Sequence, residues 1–322
     1  MRRTLTRLVV LAVALLAGGG TAAGADGKSR VRVGKVHRLR VTHSTKVTVE
    51  AGTARLQVWQ AKPRARTWPG LADPFAVTNT TFAPKGAEEI ATHAEGGVAW
   101  KWDVRGPTPG ALDFVTTFDL PSADRDLDTA GLTIRWKDVE AGAAEAMKGQ
   151  PALPTPTPKL LEVFRDLRKK SKDVVGTIEA FAQWIRAHVT HRGNVAYRID
   201  DIDAILAGGA GHCGHRATIF LALCQAAGLP ARKVVGHSLD NATGLLDGHD
   251  DPNRHVWAEV HLPDLGWVEV EPSPTGSPFA IPFTRIVNPA DLQSCFVEAV
   301  TESGKSRRAA YEDTIRRVEL TK

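Results

Sequence analysis

Three side chains in the 322-residue sequence have the types and order of a nucleophile, a base and an orienting acid: Cys213, His255 and Glu271. A thiol attacks a carbonyl carbon only as its thiolate. A helix start favours that form, because unsatisfied N–H groups and the positive end of the helix dipole lower a thiol pKa. Cys213 stands at such a start, after the loop Ala207-Gly208-Gly209-Ala210-Gly211 and before a helical run that Gly228 and Pro230 terminate. Gly211 and Gly214 leave room for a substrate backbone beside the sulfur. The same turn offers the Cys213 N–H as an oxyanion donor.

The base and the acid fall on two predicted strands. Along His255–Leu262, alternation puts His255, Trp257, Glu259 and His261 on one face and Val256, Ala258, Val260 and Leu262 on the other, apolar face. After the turn Pro263-Asp264-Leu265-Gly266, Val268 and Val270 of the second strand, Trp267–Glu271, join the apolar face. Glu271 then shares the face of His255 only if paired residue numbers sum to an even value. That requires an odd hairpin loop or a bulge, since a slip of one residue turns the carboxylate away. A carboxylate so placed fixes the imidazole tautomer and stabilises the imidazolium.

The other cysteines read differently. Cys213, Ala217, Phe220 and Cys224 lie at helical spacing, so Cys224 reads as core filling, and Cys295 in a Cys-Phe-Val run reads as core or as an unpaired bystander. A metal site is the competing chemistry, from His212, Cys213, His215, His249 and His255 with Asp247, Asp250, Asp251 and Asn253. A calcium loop would want glutamate at its twelfth position, where Ala258 stands, and the acidic loop reads as solvated. No metal and no cofactor is assigned.

The elements that position these groups change character along the chain. From about Arg30 to Trp136 the pattern has period two, as in Val47/Val49, Leu56/Val58 and Val98/Trp100/Trp102/Val104, which predicts an antiparallel β-sandwich domain over residues 26–150 with strands that include Phe114–Leu120 and Leu132–Trp136. Residues 151–158, proline at alternate positions near their end, predict an extended linker. Helical stripes follow over Leu160–Lys170 and Thr177–Val189, the second with Thr177 as N-cap and Trp184 as core filling. The domain with the chemistry is assigned to residues 159–290. Residues 291–322 read as a partly helical tail whose Arg307, Arg308, Arg316 and Arg317 form a solvated face.

Three ordered blocks carry a resemblance: Gly211-His-Cys-Gly-His-Arg-Ala-Thr-Ile-Phe-Leu-Ala-Leu-Cys-Gln-Ala-Ala-Gly-Leu-Pro-Ala-Arg232, then His255-Val-Trp-Ala-Glu-Val, then Gly266-Trp-Val-Glu-Val-Glu-Pro-Ser273. Over about residues 159–275 the chain resembles the transglutaminase-like superfamily of papain-like cysteine enzymes, of the exported bacterial type. The resemblance implies an α+β fold in which a β-sandwich domain precedes a transglutaminase-like core with a Cys-His-acid triad. It implies attack on amide bonds of a protein or peptide substrate through a thioester, resolved by water in a peptidase or amidase or by an amine in a protein-glutamine acyltransferase. The family's acid is usually an aspartate before proline, whereas Glu271 precedes Pro272. The alternative is therefore a catalytically inactive member that binds peptide or cell-wall material. Animal members hold the oxyanion with a tryptophan upstream of the cysteine. Trp184 sits on a helix and does not take that role, which leaves Tyr197 and the His212 region as candidates.

Composition bounds the remainder. A chain of this length with 43% hydrophobic residues favours two cores. Residues 1–25 read as a secretory signal, with Arg2, Arg3 and Arg7 before the apolar run Leu8–Ala17 and a small-residue end at Ala25. Its removal takes the formal charge from +5 to +2, because three arginines and no acids leave with it. No clustered basic face remains for nucleic acid. No later segment is apolar enough to span a bilayer, so the expected location is secreted or periplasmic. Three cysteines in an oxidising compartment leave at least one thiol unpaired.

Overall fold

In β1 (Val31–Val49) the odd-numbered residues from Leu39 to Val49 are all buried while most of their neighbours face outward, the pattern of a strand with one face on a core. The computed structural model describes residues 30–65, 75–94, 96–239, 254–273, 276–292 and 294–320. The expected export segment 1–25 and the loop residues Asp247, His249, Asp250, Asp251 and Asn253 lie outside them.

Five strands follow β1: β2 (Thr53–Ala61), β3 (Thr78–Ala83), β4 (Glu88–Ala91), β5 (Val98–Arg105) and β6 (Gly110–Leu127). Then come α1 (Trp136–Ala146), α2 (Pro158–Lys170), α3 (Val174–His188), β7 (Thr190–His191), α4 (Ile202–Gly208), β8 (Ala210–Gly211) and α5 (Cys213–Ala227). The chain continues through β9 (Ala231–Ser238), β10 (Arg254–Leu262), β11 (Gly266–Val270), β12 (Arg285–Val287), β13 (Cys295–Thr301), β14 (Ser306–Arg308) and β15 (Tyr311–Glu319).

Two antiparallel sheets, ordered β15-β1-β6-β3 and β14-β13-β2-β5-β4, share one apolar core. Ring pairs knit it together, Trp100 against Phe118 at 5.3 Å and Trp102 against Phe114 at 5.5 Å. The C-terminal segment corrects the sequence expectation. It is not helical: β13 pairs with β2 and β15 with β1, so Arg307, Arg308, Arg316 and Arg317 stand on strands. The alternation in β15 was hidden because its first inward position is a charged residue, Asp313, followed by Ile315. Asp313 accepts hydrogen bonds from Thr45 (2.8 Å) and Ser294, pairs with His43 Nε2 at 2.8 Å, and has the Arg254 guanidinium 3.9 Å away. Those partners make burial of a carboxylate tolerable.

A second correction concerns Leu132–Trp136, which is not a strand: residues 132–135 are irregular chain and Trp136 begins α1. Asp138 in the first turn of α1 pairs with Arg135, and Val139 packs into the helical core, so that core begins before the proline-rich segment. Residues 151–157 belong to no helix or strand, and Thr157 caps α2 with Pro158 at its first position. The α3 cap is Asp173, whose Oδ1 accepts the Gly176 N–H at 2.8 Å. Thr177 lies one turn inside and donates its hydroxyl to the Asp173 carbonyl.

Helix α5 is the centre of the second core. It packs against α2 and α3 on one side and on the other against the sheet β11-β10-β9-β12, through Ala258, Val260, Leu262, Val268 and Val270. Gly228 ends it in the left-handed region at φ +66°, as expected, with the Leu229 N–H closing on the Cys224 carbonyl at 3.0 Å. The opposite face of the sheet is also covered. Trp257 Nε1 donates to Glu269 (3.1 Å), Glu269 pairs with Arg125 of β6 (3.0 Å), and β6 and residue 281 exchange backbone hydrogen bonds through Arg125. The long strand β6 thus serves both cores, with Phe114 and Phe118 in the first and Leu127 in the second.

Gly236 lies at the crossing of β10, β9 and β12, opposite His255 and Val287. A Cβ there would sit 1.9 Å from the Ile286 carbonyl oxygen. Gly236→Ala is expected to force β12 off β9 and destabilise the protein by about 1–3 kcal/mol, as overpacked cores do. A urea midpoint equal to that of the parent would refute this.

Candidate active site

Cys213 is the first residue of α5, so its N–H belongs to the turn that has no acceptor within the helix. The residue before it is the cap: His212 Nδ1 accepts the Gly214 N–H at 3.1 Å. Gly211 and Gly214 serve packing more than substrate access. A Cβ at Gly211 would meet the His215 Cβ at 2.6 Å, and one at Gly214 would meet Ile199 Cδ1 at 2.4 Å and His212 Cε1 at 2.9 Å. Cys213 as a residue is half-buried.

The strands pair in the even register. Ala258 faces Val270, Val260 faces Val268, and the loop between Leu262 and Gly266 has three residues, of which Asp264 takes a positive φ of 62°. Glu271 therefore emerges on the face of His255, and the two side chains are hydrogen-bonded, His255 Nε2 to Glu271 Oε2. That bond leaves Nδ1 of the imidazole for the thiol. The longer side chain, glutamate where aspartate was the expectation, reaches its partner.

Glu271 is wholly buried and its carboxylate is engaged throughout. Oε1 accepts the Ser273 N–H at 3.1 Å, and the Arg285 guanidinium stands 3.5 Å from Oε2. Burial pushes the carboxyl pKa up, but the charge and hydrogen bond of His255, Arg285 and the Ser273 N–H outweigh it and hold the group below its ordinary value. His255 shows the counterpart. Burial pulls it down, whereas the Glu271 charge, hydrogen bonds to Cys213 and Glu271 and the Cys213 charge raise it to about 9. At Cys213 burial again opposes charge, yet hydrogen bonds from His212 and His255, the His255 charge and the Val256 N–H bring the thiol down to about 6. Between these values the site holds a thiolate and an imidazolium. Cys224 and Cys295 are buried free thiols pushed up by that burial, and neither shares this environment.

Two arginines that sequence reasoning passed over brace the site. Arg216, three residues after Cys213 and only 6% exposed, donates Nε (2.9 Å) and one terminal nitrogen (2.7 Å) to the Val189 carbonyl. Its other terminal nitrogen donates to the Ser273 carbonyl at 2.8 Å. It thereby ties the start of α5 to the end of α3 and to the segment that caps Glu271. Arg285 enters from β12. A charged residue on the buried stripe of a helix was the available signal for Arg216; nothing local announces Arg285. Trp184 stacks on His188 at 4.4 Å, and the Tyr197 hydroxyl donates to the Ala210 carbonyl, holding the glycine loop. Among the described residues no group of three or more His, Cys, Asp or Glu side chains is arranged to hold a metal ion. No described helix is long and apolar enough to cross a membrane.

Residues 162–272 match the transglutaminase-like superfamily. A 69-residue stretch, 20% of the chain, is 33% identical to the uncharacterized protein YebA of Bacillus subtilis strain 168, and the chain spans 9% of that protein's length. In overall fold the chain is similar to a candidate cysteine protease from Cytophaga hutchinsonii, with a TM-score of 0.60 at 14% identity over 91% of this chain and 93% of that one. The periplasmic domain of TgpA from Pseudomonas aeruginosa is a looser likeness, TM-score 0.35 at 17% identity over 70% and 88%.

Alkylation of Cys213 by iodoacetamide is expected to rise with pH through about 6, where the thiolate forms. In Glu271→Gln the imidazolium loses its strongest support, so the His255 pKa falls. The thiolate loses part of its counter-charge, so the Cys213 pKa rises. The ion-pair window closes from both sides, and the alkylation midpoint moves to higher pH. An unchanged midpoint in that variant would show that Glu271 does not govern the pair.

Proposed function

We infer that a chain with a transglutaminase-like domain over residues 162–272 and a thiolate–imidazolium pair at its heart is a cysteine hydrolase of amide bonds in peptides or proteins. The observation that carries this reading is the continuous chain of contacts from Cys213 through His255 to Glu271. In it the Cys213 thiolate adds to the amide carbonyl. His255, protonated below about 9, gives its proton to the departing amine, and a thioester remains. The imidazole, now neutral, takes a proton from water as that water attacks the thioester, and releases the acid with the thiol restored. Glu271 keeps the ring in orientation and stabilises its charged form.

Cys213 is only half-buried, so water, the most abundant nucleophile in solution, has a route to the thioester, which supports hydrolysis as the resolving step. The non-catalytic alternative drew on the replacement of aspartate by Glu271, and the hydrogen bond of Glu271 to His255 supports the catalytic reading over it. Export fits a free thiol kept for chemistry, so a secreted or periplasmic hydrolase is the full reading.

Incubation with glutamine-containing peptides and a primary amine, followed by mass spectrometry, tests it. Cleaved or deamidated peptide, with water incorporated, is expected to dominate over amine adducts, and Cys213→Ala is expected to abolish both. Predominant amine incorporation would reassign the enzyme as an acyltransferase. Full turnover by Cys213→Ala would end the thiol reading. The pH profile of kcat/KM is expected to be a bell with limbs near about 6 and about 9, apparent values that belong to the pair.

A further inference from the structure

Thiolate attack leaves a tetrahedral carbon with a negative oxygen, which needs donors placed where that charge develops. The Cys213 N–H supplies one. The residues first considered for a second are committed elsewhere: Trp184 lies against His188, the Tyr197 hydroxyl is bound to the Ala210 carbonyl, and His212 caps α5 and hydrogen-bonds the thiol. His215 is 2% exposed beneath Gly211 and meets no solvent from which a substrate could approach.

We propose that His191 is the second oxyanion donor, a catalytic residue facing the Cys213 N–H across the substrate carbonyl; this rests on the thiol reading given above. His191 belongs to β7, which pairs in parallel with β8 and sets His191 beside Gly211, two residues before Cys213. Three ties make the placement rigid. The Thr190 N–H donates to the Gly209 carbonyl at 2.8 Å and the Arg192 N–H to the Gly211 carbonyl at 3.0 Å. Arg216, itself in the first turn of α5, holds the Val189 carbonyl with two hydrogen bonds. β7 is thus locked to the loop and helix that carry the nucleophile, while His191 stays open to solvent.

Its ring also lies within the field of Arg216, His255 and Glu271, charged groups of the site itself. Partial burial lowers its pKa most, the Arg216 and His255 charges lower it further, and Glu271 offsets only part of this. The ring is neutral at pH 7 and keeps an N–H to donate. Neutrality matters, because an imidazolium at that position would compete with His255 for the thiolate.

The test compares His191→Ala with His191→Gln, which restores an N–H donor, in the full-length protein. Two reagents are used. With p-nitrophenyl acetate, the thiolate adds to the acetyl carbon, the C–S bond forms, and p-nitrophenolate leaves with its electron pair without needing an acid. That rate reports nucleophile and oxyanion support alone. Iodoacetamide alkylates the same sulfur by displacing iodide and builds no oxyanion. His191→Ala is expected to slow acylation by ~100-fold, the effect of one lost oxyanion donor. His191→Gln is expected to recover most of that loss, and alkylation to keep its rate and pH profile in both variants. Acylation unchanged in His191→Ala overturns the proposal. So does alkylation that falls in step with acylation, or failure of glutamine to restore any rate in a variant with native circular dichroism. Acylation of the parent that survives Cys213→Ala overturns the thiol reading and this assignment with it.

Discussion

The contact between His255 and Glu271 is the one on which the site depends. An imidazolium and a carboxylate removed from water are each costly, and together they persist only when their remaining hydrogen-bonding capacity is satisfied. Glu271 meets that condition through the Ser273 N–H and the nearby Arg285, and His255 through the thiol on its other side. The result is one buried anion that sets the charge state of a whole row of groups. The thiolate is available near neutral pH because an imidazolium stands beside it, and the imidazolium is there because Glu271 stands behind it. Removing the carboxylate takes away the strongest support of the imidazolium and would be felt at the sulfur, a side chain it does not touch.

That row is held by a sheet that is buried on both faces, which antiparallel sheets in small domains often avoid. Helix α5 covers one face and brings Cys213 to the end of β10. The other face is closed by β6 through Arg125, Glu269 and Trp257. β12 then adds Arg285 from the far edge. The β-rich half of the chain is therefore more than an appendage, since the strand that builds its core also backs the sheet from which His255 projects.

Much of the site could be read from residue order because its parts obey local rules. A helix cannot pass Gly228 and Pro230, an alternating strand cannot put His255 and Val256 on one face, and a three-residue hairpin loop decides which way Glu271 points. The cap of α3 was misplaced by one turn because Asp173 and Thr177 are both good capping residues and only packing chooses between them. β15 was missed because an aspartate occupies an inward position, a pattern that makes sense only once His43, Thr45 and Ser294 are known to surround it. Arg216, Arg285 and His191 escaped notice for the same reason. Their importance lies in carbonyls and charges contributed by distant segments, which no window along the chain contains.

The Asp313 cluster has a consequence for the order in which the protein can mature. Arg254 is the residue next to His255, and the carboxylate near it belongs to a strand that leaves the ribosome after every other part of the site. Until β15 is laid against β1, His43 and Thr45 have no anion to bind, and the N-terminal sheet lacks an edge. The thiol, the imidazole and Glu271 are all synthesised before the piece that completes the wall behind them. A nascent chain halted short of Tyr311 would thus carry all three reactive side chains without the finished scaffold.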